Sequence, residues 1–215
     1  NRTLNLSILA PAEREITIPV TCVESGRWSY QSERFDTSDR VHFSRGRRKK
    51  MASVSECMNF YNRPEANQSE VWDEISSKEL RMKSFSPTSS MGAIFEKNKG
   101  RLSDYVKAFT AIENQAGMLV MVGDDIVGLD LFDNKETLKK LMPKLVRSFA
   151  LDALELNTRK KYQPEIEDAK DLLKKTATAN TSNHPAVGDG NNLRLQNEEV
   201  IGGALAVDCQ VIHLS

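Results

Sequence analysis

The chain has 215 residues, enough to bury roughly 70% of its unfolded surface within one domain. Its 39% apolar and 28% charged content is that of an ordinary globular protein, and its 30 basic and 30 acidic side chains cancel. That balance argues against nucleic acid as a partner, and the lack of an apolar run near about 18 residues argues against a membrane.

The three cysteines, Cys22, Cys57 and Cys209, are far apart and have neither zinc spacing nor a disulfide framework, which points to a reducing cytoplasm. No cofactor fingerprint or nucleophile motif stands out, so the cofactor is left open, and no metal site is expected. The chain starts at Asn1 without Met and enters an alternating strand at once, which suggests a trimmed N-terminus.

In chain order, Leu4, Leu6 and Ile8 alternate with Asn5, Ser7 and Leu9 up to Pro11, predicting a first strand. Glu15 to Val23 predicts a second, with Ile16, Ile18 and Val20 on one face; Pro19 cannot donate to a ladder, so this strand is an edge or is bulged there. The basic run Arg45-Gly46-Arg47-Arg48-Lys49-Lys50 reads as a solvated loop and a first helical turn. Helices follow over 49–61 and 67–81, the second capped by Asn67 or Ser69 and carrying Val71, Trp72, Ile75 and Leu80. After the loop Ser84 to Ser90, Ser89 or Ser90 caps a helix reaching 98.

Met118 to Val122, Gly123-Asp124-Asp125 and Ile126 to Phe132 make the clearest hairpin. A helix over 135–157 contains Pro143, which kinks it or starts its second half, and a charged helix spans 160–175. The Thr-, Asn-, Ser- and Gly-rich stretch 176–191 reads as a flexible loop. A meander closes the chain near 192–199, 201–207 and 210–214. The fold class predicted is α+β: mainly antiparallel sheet with helices packed on one side, as one domain over 1–215.

Charged residues in apolar company are the candidate site. In the helix 135–157, Leu138, Met142, Leu145, Phe149, Ala153 and Leu156 form an apolar stripe, and Asp152 lies inside it. A buried carboxylate needs a cation or donors, so Asp152 is either a structural ion pair or cap, or a carboxylate aimed into a site. Asp130 shares a strand face with Ile126, Gly128 and Phe132; if the more apolar face meets the core, Asp130 points outward, while Gly128 leaves room for a close approach. His213 sits in the last strand, and His42 and His184 sit in loops without partners at ligand spacing. Glu24, Arg27 and Trp28 at a strand end, with Gly26 between them, offer a charged pair and a flat apolar wall suited to an anionic or aromatic ligand.

The runs Asn1 to Leu9 and Ile18-Pro19-Val20-Thr21-Cys22-Val23-Glu24-Ser25-Gly26-Arg27-Trp28-Ser29-Tyr30 resemble the ARG and Rhodanese-Phosphatase-superfamily-associated protein domain, where ARG stands for ADP-ribosylglycohydrolase. Val71-Trp72, Ser86-Pro87-Thr88, Gly128 to Phe132, Lys144 to Leu154, Leu193-Arg194-Leu195, Gly202 to Leu205 and Val211 to Ser215 also fit, whereas 157–191 looks like an insert. The resemblance implies genomic company with enzymes of ADP-ribose and NAD-linked metabolism, and it adds Arg2 and Arg194 to the candidate residues.

Together these readings give a domain that binds or processes a phosphate-bearing, nucleotide-derived small molecule. Glu24 or Asp152 is then the acid/base group, and Arg2, Arg27, Trp28, Asp130, Arg194 and His213 bind the ligand. The competing reading is a non-catalytic interaction or scaffold module whose polar residues form a buried network; the sequence names no protein partner.

Overall fold

The computed structural model describes residues 2–27, 38–156 and 165–215. Two short strands, β1 (Arg2–Leu4) and β2 (Val20–Cys22), pair antiparallel, with Arg2 opposite Cys22. Four helices follow: α1 (Ser44–Tyr61), α2 (Gln68–Arg81), α3 (Met91–Lys97) and α4 (Lys99–Ala108). The hairpin β3 (Gly117–Val122) and β4 (Asp125–Phe132) precedes α5 (Lys135–Ala153) and α6 (Ile166–Ala177). The chain then forms β5 (Asn180–Pro185), β6 (Asn191–Gln196), β7 (Ile201–Val207) and β8 (Gln210–Leu214). The second sheet has six strands in the order β3-β4-β8-β7-β6-β5, every pair antiparallel, so the fold is α+β.

Local signals account for much of this. Asn67 caps α2, its side chain accepting from the Ser69 and Glu70 amides, and Asn62 ends α1 in the left-handed region with its N–H on the Met58 carbonyl. Helix α5 runs through Pro143 without a break. Three apolar clusters hold the elements together. Phe132, Leu138, Met142, Leu145, Val146 and Phe149 join α5 to the hairpin. Phe43, Val71, Ile75, Ile94, Phe95, Leu102 and Leu151 join the helices. Leu6, Val54 and Met58 tie the N-terminal segment to α1.

The two N-terminal strands are shorter than the runs up to Pro11 and over 15–23, the helix expected to 157 ends at Ala153, and α4 was not expected. Three further expectations change. Helix α1 begins at Ser44 rather than at 49, because its cap comes from far along the chain: the Asp152 carboxylate accepts from the Arg45 amide at 2.8 Å. The stretch 176–191, expected as a loop, contains β5, which pairs with β6 over six residues and so places His184 in a strand. Asp130 is fully buried rather than outward, while its neighbour Leu131 is 40% exposed. The space left by Gly128 is filled by the Phe149 ring, 2.7 Å from where a Cβ would stand.

Candidate functional site

Helix α1 meets the sheet through polar contacts. Arg47 donates from its two terminal nitrogens to both oxygens of Asp130 at 3.0 and 2.9 Å, the bidentate form of a guanidinium–carboxylate pair, and lies over the Phe149 ring. Ser44 Oγ donates to the Val127 carbonyl at 2.8 Å. Two turns on, Arg194 of β6 donates from Nε to Ser55 Oγ at 2.9 Å and from Nη2 to the Met51 carbonyl at 3.2 Å. Its guanidinium fits only because residue 203 on β7 is glycine, where a Cβ would sit 2.3 Å from Arg194 Nη1. At the far end of α1, Asn59 Oδ1 accepts from Ser182 Oγ at 2.7 Å and lies 3.1 Å from His184 Nε2.

On the other side of Asp130, His213 brings Nε2 within 3.5 Å of Oδ1 and stacks on Phe132 at 4.3 Å between ring centres. Its Nδ1 meets Ser7 Oγ at 2.6 Å. The adjacent turn of α1 adds Lys50, only 6% exposed, whose ammonium donates to the Leu4 carbonyl and to Thr3 Oγ1.

The charges in this interface do not cancel. Burial opposes the Asp130 charge, but Arg47 and the contact with His213 outweigh it and hold the carboxyl below its ordinary value. Arg194 is 4% exposed and has only neutral acceptors among the described residues; burial lowers its pKa to about 10. Burial, with Arg47 and Arg194 nearby, lowers Lys50 to about 7.

His42, just before α1, is 1% exposed, and its Nε2 has no hydrogen-bond partner among the described residues. Burial and the charge of Lys50 push its pKa from 6.5 down to about 3, against a hydrogen bond to the Phe43 carbonyl. A base whose folded pKa is depressed gains its proton on unfolding. Stability from this group is therefore complete above pH 6.5 and is lost as pH falls toward 3. Urea melts should show wild type losing up to about 1.4 kcal/mol per pH unit in that window, with a shallower slope for His42→Leu. An equal slope in the two proteins would exclude His42 as the titrating group.

The other candidate residues lie elsewhere. Glu24, one residue beyond Val23, receives Thr88 Oγ1 at 2.7 Å and pairs with Arg27 at 3.4 Å; its backbone bridges to Ser90. Two of the family-like segments, 18–30 and 86–88, thus meet here, with the Gly26 amide on the Thr88 carbonyl at 2.9 Å. Arg2 is exposed on β1, and Trp28 lies outside the described residues. Asp152 faces Lys78, which is fully buried and also bonds Glu155; Arg81 joins Glu155 to Glu74, which also pairs with Lys49 and Arg45. The structure brings Asp130 and His213 together, and Glu24 and Arg27 together. Asp152 serves the α1 N-terminus instead, with Lys78 beside it.

Ser7, Arg47, Lys50, Ser55 and Lys78 escaped the sequence reading. For Arg47 and Lys50 a signal existed: a helix starting at Ser44 puts them on the same face as Val54 and Met58.

Two openings reach this interface. β4 and β8 pair only at Leu131–Leu214 and Phe132–His213, and the divergence leaves a slot of about 130 Å³ walled by Arg47, Arg48, Met51, Gly202, Thr176 and Glu199. A groove of about 780 Å³ between α1 and α2 is lined by Ser55, Asn59, Glu70, Asp73 and Glu74, with Lys49. Among the described residues no cluster of three or more His, Cys, Asp or Glu could hold a metal, and no helix is long and apolar enough to cross a membrane.

Fold and site together define an α+β domain with a cation-rich polar layer between one helix and an antiparallel sheet. The chain belongs to the ARG and Rhodanese-Phosphatase-superfamily-associated Protein domain family, whose model matches residues 1–215. Neither a curated protein nor a solved structure matches it.

Proposed function

We propose that the domain binds a phosphate-bearing, nucleotide-derived small molecule, its anionic group held by the cations beneath α1. The observation that carries this reading is the buried pair Lys50 and Arg194, whose acceptors among the described residues are neutral oxygens only. A buried cation without an anion costs stability, and a ligand phosphate would offset that cost. The slot beside Arg47 and Arg48 has the volume of a phosphate-sized group, and Met51, whose carbonyl holds Arg194, forms part of its wall. The family's association with ADP-ribosylglycohydrolase suggests ADP-ribose and NAD as first ligands to try.

Thermal-shift and calorimetric titrations with ADP-ribose, NAD and inorganic phosphate test the proposal. A ligand at 100 times its Kd stabilises the fold by about 2.7 kcal/mol. Arg194→Met should abolish that shift while leaving the ligand-free protein as stable as wild type or more so, since Ser55 Oγ still donates to the Met51 carbonyl. An anion beside Lys50 raises its pKa from about 7, so binding at neutral pH takes up a proton, seen as a buffer-dependent heat. No ligand-dependent shift, or an Arg194→Met variant that is strongly destabilised and still binds, would sink the reading. The second result fits the scaffold alternative, which the closed Arg47–Asp130 pair favours: there the polar layer only seats α1 on the sheet.

A further inference from the structure

Ser7 and His213 are not explained by anion binding. Ser7 is half-buried in the segment after β1, and the backbone on both sides of it is pinned: upstream Leu6 packs on Val54 and Met58, and downstream the Leu9 carbonyl accepts from the Asp189 amide at 2.9 Å. The imidazole opposite is fixed as firmly, stacked on Phe132 with 10° between ring planes. Its two nitrogens face different groups. Nε2 points toward Asp130 Oδ1 at 3.5 Å, a contact too long to count as a formed hydrogen bond but one that favours the proton on that nitrogen. Nδ1 is then the bare lone pair, and it stands 2.6 Å from Ser7 Oγ as acceptor of the hydroxyl proton. A hydroxyl on the basic nitrogen of a fixed imidazole, with a carboxylate beyond it, is the arrangement that activates serine nucleophiles, whichever ring nitrogen serves which partner.

We propose that Ser7 is a nucleophile with His213 as its base, acting on a carboxylic ester of a phosphate-bearing alcohol. The alcohol's phosphate rests on the anion-binding reading above; the nucleophile does not. In the first step Ser7 Oγ bonds to the ester carbonyl carbon and its proton passes to His213 Nδ1. The bond from carbonyl carbon to the alcohol oxygen then breaks, and the alcohol leaves with that proton. Water, deprotonated by the same nitrogen, attacks the acyl-serine and releases the acid, restoring the Ser7 hydroxyl. Lys50, bound just upstream, places positive charge beside this segment while negative charge develops on the carbonyl oxygen.

The test needs no natural substrate. The intact chain is incubated with an alkyl fluorophosphonate, which transfers phosphorus to an activated serine and releases fluoride, and the adduct is mapped by mass spectrometry. One adduct per chain is expected, on Ser7, absent in Ser7→Ala and unchanged when a serine of α4 is replaced in Ser103→Ala. His213→Gln should slow labelling by about 100-fold or more while reaching the same final stoichiometry, which a folding defect would not do. p-Nitrophenyl acetate should release one equivalent of p-nitrophenol in a burst that Ser7→Ala removes. No adduct at Ser7 in the wild-type chain, or labelling at the same rate in His213→Gln, would overturn the proposal and leave the Ser7–His213 bond as a tether between the N-terminal segment and β8. Labelling without any phosphate-ligand shift would remove the anion reading alone, and a ligand shift without labelling would remove the nucleophile alone.

Discussion

Replacing Asp130 by Ala should destabilise the fold by about 3–5 kcal/mol, because it leaves the Arg47 guanidinium in a largely buried interface without its carboxylate. For a chain of this length that is roughly 10 °C of melting temperature. The ion pair itself need not be worth that much; most of the loss comes from stranding one charge. Adding Arg47→Met to Asp130→Ala should therefore recover a large part of it, and a double-mutant cycle in urea measures the coupling. The acid limb carries a second signature. A carboxyl held below its ordinary value contributes stability that is complete above its unfolded pKa, near 4, and is lost as pH falls through the lower folded value. Asp130→Ala should flatten that limb. A variant as stable as wild type, with the same acid limb, would show that Arg47 and Asp130 are not paired.

Lys78→Met should cost a similar amount, about 3–5 kcal/mol. Lys78 is fully buried, bonds Asp152 and Glu155 at 2.5 Å each, and sits 5.0 Å from the centre of the Phe43 ring. Methionine retains the stem's volume but leaves the Asp152 carboxylate without its cation near the start of α1, while Glu155 keeps only Arg81. Asp152→Asn should be milder, because the amide oxygen still accepts from the Arg45 N–H and preserves the cap. Combined with Lys78→Met it should relieve part of the loss. Additive costs in the cycle would disprove the pairing. The helical signal after Lys78→Met should also fall at the beginning of α1, read as faster amide exchange in its first turn.

These networks mark the boundary of what local patterns determine. Helix α2 was legible to within a residue because Asn67 caps it and Val71 and Ile75 recur at helical spacing. The β3–β4 hairpin and the strands β6, β7 and β8 were legible because turn residues separate apolar runs. Each is specified by neighbours in sequence. The start of α1 was not, since Phe43 is no capping residue and the cap arrives from Asp152, 107 residues away. β5 was missed for a related reason: its polar residues have little strand propensity of their own, and β6 with Asn59 supplies their partners.

The candidate site divides in the same way. Asp152 and Asp130 were conspicuous as carboxylates among apolar residues, and Glu24 with Arg27 as a charged pair around a glycine; composition and periodicity alone reveal such features. Which of them share a surface was decided by tertiary structure. Arg47 reaches Asp130 across 83 residues, and Ser7 reaches His213 across 206. The basic run from Arg45 to Lys50 shows the difference most clearly. Its charge was plain in the sequence and suggested a solvated stretch, yet Lys50 is buried while Lys49 is half exposed, because α1 turns one face to the sheet and the other toward water. By itself the sequence determined the fold class, most of the elements and the odd polar residues among them. The tertiary structure decided which charges are buried together, because burial and pairing depend on partners that only folding brings within a few ångströms.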